Sequence, residues 1–401
     1  MTISTILATI ALASGSPAAI DDTAPAATPD KGAVVNLAIC LDTSGSMDGL
    51  IDAARRNIWS VVNDLALAEP TPQLQIALLT FGNDGHEESD GWVRIHAPLT
   101  GNLDLISQEL FAQSTDGGTE LVARVIDRAV TMLDWDSDPN ALKIIIVAGN
   151  EGADQDTTMS YQDACRNAIA QGIMVNSIYC GNAGDAEAAA WREVSMLADG
   201  AFATIDKDKA IVHIPTPFDE ELARLNEAIN TTYVAYGSYG WAGQERQTAE
   251  DDNATHLGAT VAASRVACKA GALYDNAGWD LVDACREKVV DLETIDEADL
   301  PENMRAMSLE ERQAYIAAKQ GEREALAGQV ASVVNHREAF RLREQKRLAI
   351  DESQSLGSTL RRAIREQASA KGVQFPKPSE PAEQPSDATP PALEAAADST
   401  P

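Results

Sequence analysis

Apolar runs alternate with amphipathic stretches from Val34 to about Asp206. The runs read VVNLAICLD, LQIALLTFG, WVRIHAPLT, ALKIIIVAG, IMVNSIYC and AFATID. Between most of them, Leu50–Leu67, Glu120–Leu133, Tyr161–Ala170 and Ala186–Leu197 read as helices. Near-continuous apolar strands separated by helices predict a parallel sheet covered on both faces. The second and third runs are joined only by NDGHEESDG, which leaves no room for a helix, so that pair should form a hairpin with an antiparallel edge strand. The expected fold class is α/β: a doubly wound, Rossmann-like, mostly parallel six-stranded sheet with one antiparallel edge strand, followed by an all-α extension.

Past His213 the strand pattern fades. Asp219–Asn230, roughly Glu245–Gly271 and Trp279–Val290 read as helices separated by Gly-rich turns such as YGSYGWAG. From Ser308 to about Gln367 the chain is rich in Ala, Glu, Arg and Gln, which predicts one long helix or a helical pair broken near Gly357. Leu326, Val330, Val333, Val334, Phe340 and Leu342 would pack on neighbouring helices, or the C-terminal helices would self-associate as a short coiled coil. The pattern is not a clean heptad repeat, which favours packing. Arg337, Arg341, Arg343, Lys346 and Arg347 stand among glutamates and read as a solvated face. The alternative is a docking surface for an acidic partner, the chain's own first domain included.

The ends of the chain read differently. Residues 1–19 carry an apolar run from Ile3 to Ala13 and small residues at Ala18 and Ala19, the form of a signal peptide without its usual basic start. Export to the periplasm or the exterior is expected, with a cytosolic leader as the alternative. Residues 20–33 would be a linker, 34–212 the α/β domain, 213–300 a helical region and 301–372 the long helix or helical hairpin. The Pro-, Ala- and acid-rich segment 373–401 should be disordered. No stretch approaches the ~20 apolar residues of a membrane span.

Composition changes this picture in one respect. The 401 residues carry a formal charge of -31. Such a surface repels phosphate backbones and argues against nucleic-acid binding, while it concentrates cations. The five cysteines leave one unpaired if the rest form bridges. Cys165 early in a helix and Cys180 at the end of the next strand fall at one end of the fold, so a bridge is within reach. Cys268 and Cys285 could form a second. An exported chain favours bridges and a cytosolic one five thiols.

The candidate chemistry lies in LDTSGSM, directly after the first strand. Ligands of open α/β sheets bind at the carboxyl ends of strands, where strand order reverses. Asp42, Ser44 and Ser46 at alternate positions can turn their oxygens to one point there, a donor set suited to a hard cation such as Mg²⁺, with Mn²⁺ or Ca²⁺ as alternatives. This Asp-x-Ser-x-Ser pattern, with GGT at Gly117–Thr119 opening a later helix, resembles the metal-ion-dependent adhesion site of von Willebrand factor A (VWA) domains. The resemblance covers about Val34–Asp206 and implies that Thr119 adds a third hydroxyl. It also implies an Asp after the fourth strand, where VAGNEGADQD places Gly149; Asn150 or Glu151 would then supply an oxygen instead. The YQDACRNAIAQGIMVNSIYCG and WDLVDA stretches resemble bacterial A-domain proteins with a helical C-terminal extension.

Nothing in the sequence points to catalysis. His86, His96, His213, His256 and His336 lack metal-ligand spacing, and there is no phosphate loop, zinc motif or nucleophile elbow. The reading that follows is a non-enzymatic protein whose cation captures an exposed acidic residue of a protein partner. A scaffolding envelope protein with a decayed metal site is the second reading, supported by Gly149. A metal-assisted hydrolase using His86 or Glu87 is the third.

Overall fold

A computed structural model of the chain describes residues 32–205, 214–350 and 355–375. The expected signal peptide, most of the linker and nearly all of the acidic tail lie outside the described residues. Six strands, β1 (Val34–Asp42), β2 (Gln73–Phe81), β3 (Val93–Thr100), β4 (Leu142–Gly149), β5 (Ile173–Tyr179) and β6 (Phe202–Thr204), form one sheet in the order β3-β2-β1-β4-β5-β6. All neighbours are parallel except β2 and β3. The helices between them are α1 (Asp48–Ala66), α2 (Leu103–Phe111), α3 (Val122–Met132), α4 (Tyr161–Ala170) and α5 (Ala188–Leu197).

Period-two alternation along the buried strands feeds two separate cores. On β1, Val35, Leu37 and Leu41 join the core under α1 and α2, while Ala38 and Cys40 face the core under α3, α4 and α5. α2 has no counterpart in the sequence reading. Its N-cap is Asn102, whose side chain accepts from the Leu105 amide, and Leu103, Ile106 and Leu110 face inward at helical spacing. The six apolar positions of LDLISQELFAQ are few enough to pass for a loop beside the stronger strand signal that precedes them.

The cysteines divide along the same two faces. Cys165 packs under α5, its Sγ 3.5 Å from the Val194 carbonyl, whereas Cys180 belongs to the opposite core. Cys268 lies in the α1-side core and Cys285 beside a different cluster around Leu281 and Met304. The cysteines are thiols here, and the expected Cys165–Cys180 and Cys268–Cys285 bridges are not formed. The sheet itself separates the first pair.

The helical part comprises α6 (Asp219–Asn230), α7 (Gly240–His256), α8 (Ala259–Lys269), α9 (Leu281–Arg286), α10 (Glu302–Arg305), α11 (Leu309–Leu348) and α12 (Leu356–Ala370). The single helix expected over 245–271 is split at Gly258, which sits at φ +115, open to glycine and closed to other residues. α11 begins in a capping box of Ser308 and Glu311. Its buried residues, Ile316, Arg323, Val330 and Arg337, recur every seven positions and therefore share one face. Arg337 does not belong to a solvated face. Its Nε donates to Asp219 at 2.8 Å and it is 2% exposed, because α6 brings a carboxylate opposite it. Leu326, Val333 and Val334 pack on α6 and α8 as expected, but Leu342 is exposed. α11 ends at a left-handed Ala349, and Gly357 lies in the first turn of α12.

α12 does not pair with α11. It returns to α1, where Arg365 holds Asp64 through two 2.5 Å bonds and Arg361 donates to Ser60 at 2.9 Å. Its Leu356, Ile364 and Ala368 complete the core on that face of the sheet. Chain that comes last in sequence thus closes the layer that comes first. The α7–α8 pair docks beside it through a buried polar hub. Arg265 reaches Asp104 of α2 at 2.5 Å and Asp251 at 2.9 Å, and stacks 4.5 Å over Trp59 of α1. Lys269 pairs with Asp251 at 2.7 Å, and Tyr274 donates to Asp104 at 2.6 Å.

Candidate metal centre

β1 is flanked by β2 on one side and β4 on the other, so the strand order reverses at its carboxyl end. Asp42 is its last residue, and three loops meet there. The Thr43 amide donates to Phe81 O at 2.9 Å, Gly45 to Gly117 O at 3.1 Å, and Asp116 to Thr43 O at 3.0 Å. Asn83 adds side-chain bonds to Thr43 O and Ser114 O, at 3.2 and 2.9 Å. Gly82 forms a β-bridge with Thr119. Two glycines make this junction possible. Gly117, at φ +80, leaves its side-chain space to Asp84, and Gly82, at φ +79, leaves its space to Asp42 and Glu120.

Asp42, Ser44 and Glu120 are buried, at 0, 1 and 4% exposure. Asp42 Oδ1 accepts the Ser44 amide at 2.8 Å, but Asp42 Oδ2 and Ser44 Oγ have no hydrogen-bond partner. Buried polar atoms are normally satisfied, so an orphaned carboxylate oxygen beside an orphaned hydroxyl marks a place for a missing group. Burial raises the Asp42 carboxyl above its ordinary range. Burial, and then repulsion from Asp42, push Glu120 up to about 8. Two carboxyls share this pocket, so each makes ionisation of the other costlier.

The other expected residues stand around the rim. Ser46 is exposed and its Oγ donates to Asn150 Oδ1 at 3.2 Å. The Asn150 amide faces Asp42, and Glu151 is exposed but near enough to repel Glu120. Thr119 is half-buried at its bridge to Gly82. Gly149 lies against the site: a Cβ there would meet Asp42 Oδ2 and the Trp191 ring at 3.1 Å each. Trp191 is pinned by its Nε1 donating to Glu151 O at 2.7 Å.

Glu120 escaped the sequence reading. It directly follows GGT, and the available signal was an acid at the mouth of a helix beside a proposed ligand. The hairpin is less of an acidic rim than its composition suggests, since Asp90 is paired with Arg128 and Asp84 is tucked beside Gly117. His86 turns inward, its Nδ1 3.2 Å from Trp92 O, and with His96 brackets the Thr80 hydroxyl. Burial lowers both histidines, His96 to about 4, so they are neutral packing groups at ordinary pH.

The donor set is two carboxyls and hydroxyls at a strand-end crevice, and it fits a hard divalent cation. Among the described residues no group of three or more His, Cys, Asp or Glu side chains is placed to hold a metal ion, so a cation here would depend on the hydroxyls beside the two carboxyls.

Residues 36–208 match the sequence model of the von Willebrand factor type A domain. With its sheet order and its Asp-x-Ser-x-Ser loop, this portion of the chain is a von Willebrand factor type A domain, followed by a helical C-terminal part. Among solved structures, a von Willebrand factor type A protein from Catenulispora acidiphila aligns at 19% identity over 43% of this chain and 39% of its own, with a TM-score of 0.34. Proximal thread matrix protein 1 from the mussel byssus, in a structure with a zinc-occupied MIDAS motif, aligns at 14% identity over 44% of this chain and 43% of its own, with a TM-score of 0.36. The pilus adhesin SpaC of Lactobacillus rhamnosus GG aligns at 14% identity over 44% of this chain and 28% of its own, with a TM-score of 0.33. The chain spans about two fifths of the length of the first two. A comparison with curated proteins finds no match.

Proposed function

We propose that this chain is a binding protein rather than an enzyme, and that its A domain holds a divalent cation through which it captures an acidic residue of a protein partner. The observation that carries the reading is the pair of buried, unpartnered oxygens, Asp42 Oδ2 and Ser44 Oγ, at the reversal of strand order. Asp42, Ser44, Ser46 and Thr119 would hold the ion, with Asn150 and Glu151 at its rim; Mg²⁺ is the expected species and Mn²⁺ or Ca²⁺ would serve. When bound, the ion offers an open position to an anionic oxygen from outside. The chain's own part is to hold the Asp42 loop rigid through the Phe81, Gly117 and Asn83 bonds, so that little ordering cost accompanies capture.

Domains of this family commonly mediate protein–protein interaction. No helix among the described residues is long and apolar enough to cross a membrane. Export, read from the N-terminal segment, would place the cation site before partners in the envelope or outside the cell.

Calorimetric titration with Mg²⁺ and Mn²⁺, on the wild type and on Asp42→Ala, tests the reading. Heat from the wild type alone is expected. A native-state ligand at a hundred times its Kd adds about 2.7 kcal/mol, so chelator should lower the wild-type melting temperature. Equal heats from both proteins would remove the cation from the function.

A further inference from the structure

We infer that Glu120 supplies the second acidic ligand of the cation site, standing in for the carboxylate that position 149 lacks. This rests on the reading of the Asp42 loop as a cation site.

The first support is charge without a counter-charge. Asp42 and Glu120 are both buried and adjoin one another, yet among the described residues neither has an ion-pair partner. Of the other buried acids, Asp104, Asp251, Asp280 and Asp283 are paired with Arg265, Lys269 or Arg323, and Glu250, which has no ion pair among the described residues, accepts from Ser107 and Asn253 instead. An uncompensated pair of acids is costly unless something positive joins it. The orphaned Asp42 Oδ2 and Ser44 Oγ show where that positive group belongs.

The second support is the space. Gly82 has no Cβ, and an added one would lie 2.9 Å from both Asp42 Oδ1 and Glu120 Cγ. The strand end is bare at the one point where both side chains must pass. Position 149 has no room to spare either. A Cβ there would press on Asp42 Oδ2 at 3.1 Å, on Asp42 Cβ at 3.2 Å and on the anchored Trp191 ring at 3.1 Å. Trp191 has taken the room that a side chain at 149 would need, and the acid enters from the neighbouring loop through Glu120. The site is therefore rearranged rather than decayed. Its two internal carboxylates balance a divalent charge, so the cation binds in the absence of any partner and a partner's acid adds afterwards.

Mn²⁺ titration of the full chain, by calorimetry and by the loss of the free-ion electron paramagnetic resonance signal, tests this with Glu120→Gln, Glu120→Asp and Glu151→Gln. Losing an outer-shell group alone commonly weakens metal sites 10–100-fold, so E120Q should weaken Mn²⁺ at least about tenfold, and by more than E151Q does. E120Q should melt no lower than the wild type in chelator, because its amide relieves the pair of acids, and Mn²⁺ should raise its melting temperature by less than it raises the wild type's. Binding by a folded E120Q within about twofold of wild type overturns the assignment, as does a loss confined to E151Q. If E120Q does not fold, E120D decides: the shorter acid should weaken binding at least about fivefold, and unchanged binding overturns the assignment. A wild type that binds no Mn²⁺ overturns the cation site itself, and is told apart because it needs no variant.

Discussion

Removing α12 should unfold the A domain, although α12 lies far beyond it in sequence. The perturbation is a pair of truncations, one ending after residue 375 and one after Ile350, so that their difference isolates α12 and the short segment around it. Leu356, Ile364 and Val373 are each at least 95% buried against the α1 side of the sheet. Burying a large aliphatic side chain stabilises by about 1.5–3 kcal/mol, so these three contribute roughly 4.5–9 kcal/mol. The partly exposed Arg365–Asp64 pair adds no more than about 1 kcal/mol. Whole-protein stabilities run about 5–15 kcal/mol, so the shorter chain would keep little or nothing. It would also leave Leu37, Ile58 and Val61 facing water along the uncovered sheet. Urea unfolding followed by tryptophan fluorescence, with dye binding to exposed apolar surface, reads the outcome. The chain ending at 375 should unfold cooperatively, and the chain ending at 350 should bind dye and lack a sharp transition. As a milder step, Ile364→Ala should cost about 2–5 kcal/mol. A chain ending at 350 that unfolds within about 1 kcal/mol of the longer one would refute the closing role of α12.

Three further outcomes follow from named contacts. Arg265→Met leaves Asp104 and Asp251 buried without their shared partner and should cost about 3–5 kcal/mol by urea denaturation; a loss under about 1 kcal/mol would mean the hub does not hold α8 to α1 and α2. The same hub sets acid sensitivity. Burial pushes Asp251 up, but Lys269 and Arg265 pull harder and hold it at about 2. A folded pKa below the unfolded value of about 3.9 gives stability that is complete above about pH 4 and lost as pH falls through about 2, roughly 2–3 kcal/mol in all. Unfolding midpoints measured from pH 5 to pH 2 should show that loss, and Asp251→Asn should flatten it. Finally, Gly82→Ala places a Cβ at φ +79 against Asp42 and Glu120, so it should cost at least about 1–3 kcal/mol and abolish the shift in melting temperature on adding Mg²⁺. A variant that melts like the wild type and still responds to Mg²⁺ would show that the crowding at the strand end is relieved without consequence.

The number and direction of the strands, the hairpin after β2 and the place of the Asp42 loop were legible because each depends on local pattern. Strand-length apolar runs between helices leave few ways to build a sheet, and a link as short as NDGHEESDG admits only an antiparallel return. That Asp42, Ser44 and Ser46 stand together at the end of β1 was legible for the same reason, since alternate positions after one strand stay together whatever the rest of the chain does. Glu120 and Trp191 were not. Each meets Asp42 or Gly149 only through the closure of separate loops, and Glu120 reads in sequence as an ordinary acid before a helix. Arg337 misled in the opposite sense: its neighbours are charged and its helix is largely exposed, but a single carboxylate on α6 buries it.

What the sequence determined alone is thus local: helix or strand, the face each element buries, and a loop able to offer oxygens to a cation. What only the tertiary structure decided is which distant groups share a pocket. It placed α12 over the sheet, set Cys165 and Cys180 in opposite cores, and brought Glu120 to the acid that Gly149 could not accompany. The physical reason is the same in each case. Periodicity is carried by residues a few positions apart, whereas burial, charge pairing and steric exclusion act between side chains that only packing makes neighbours.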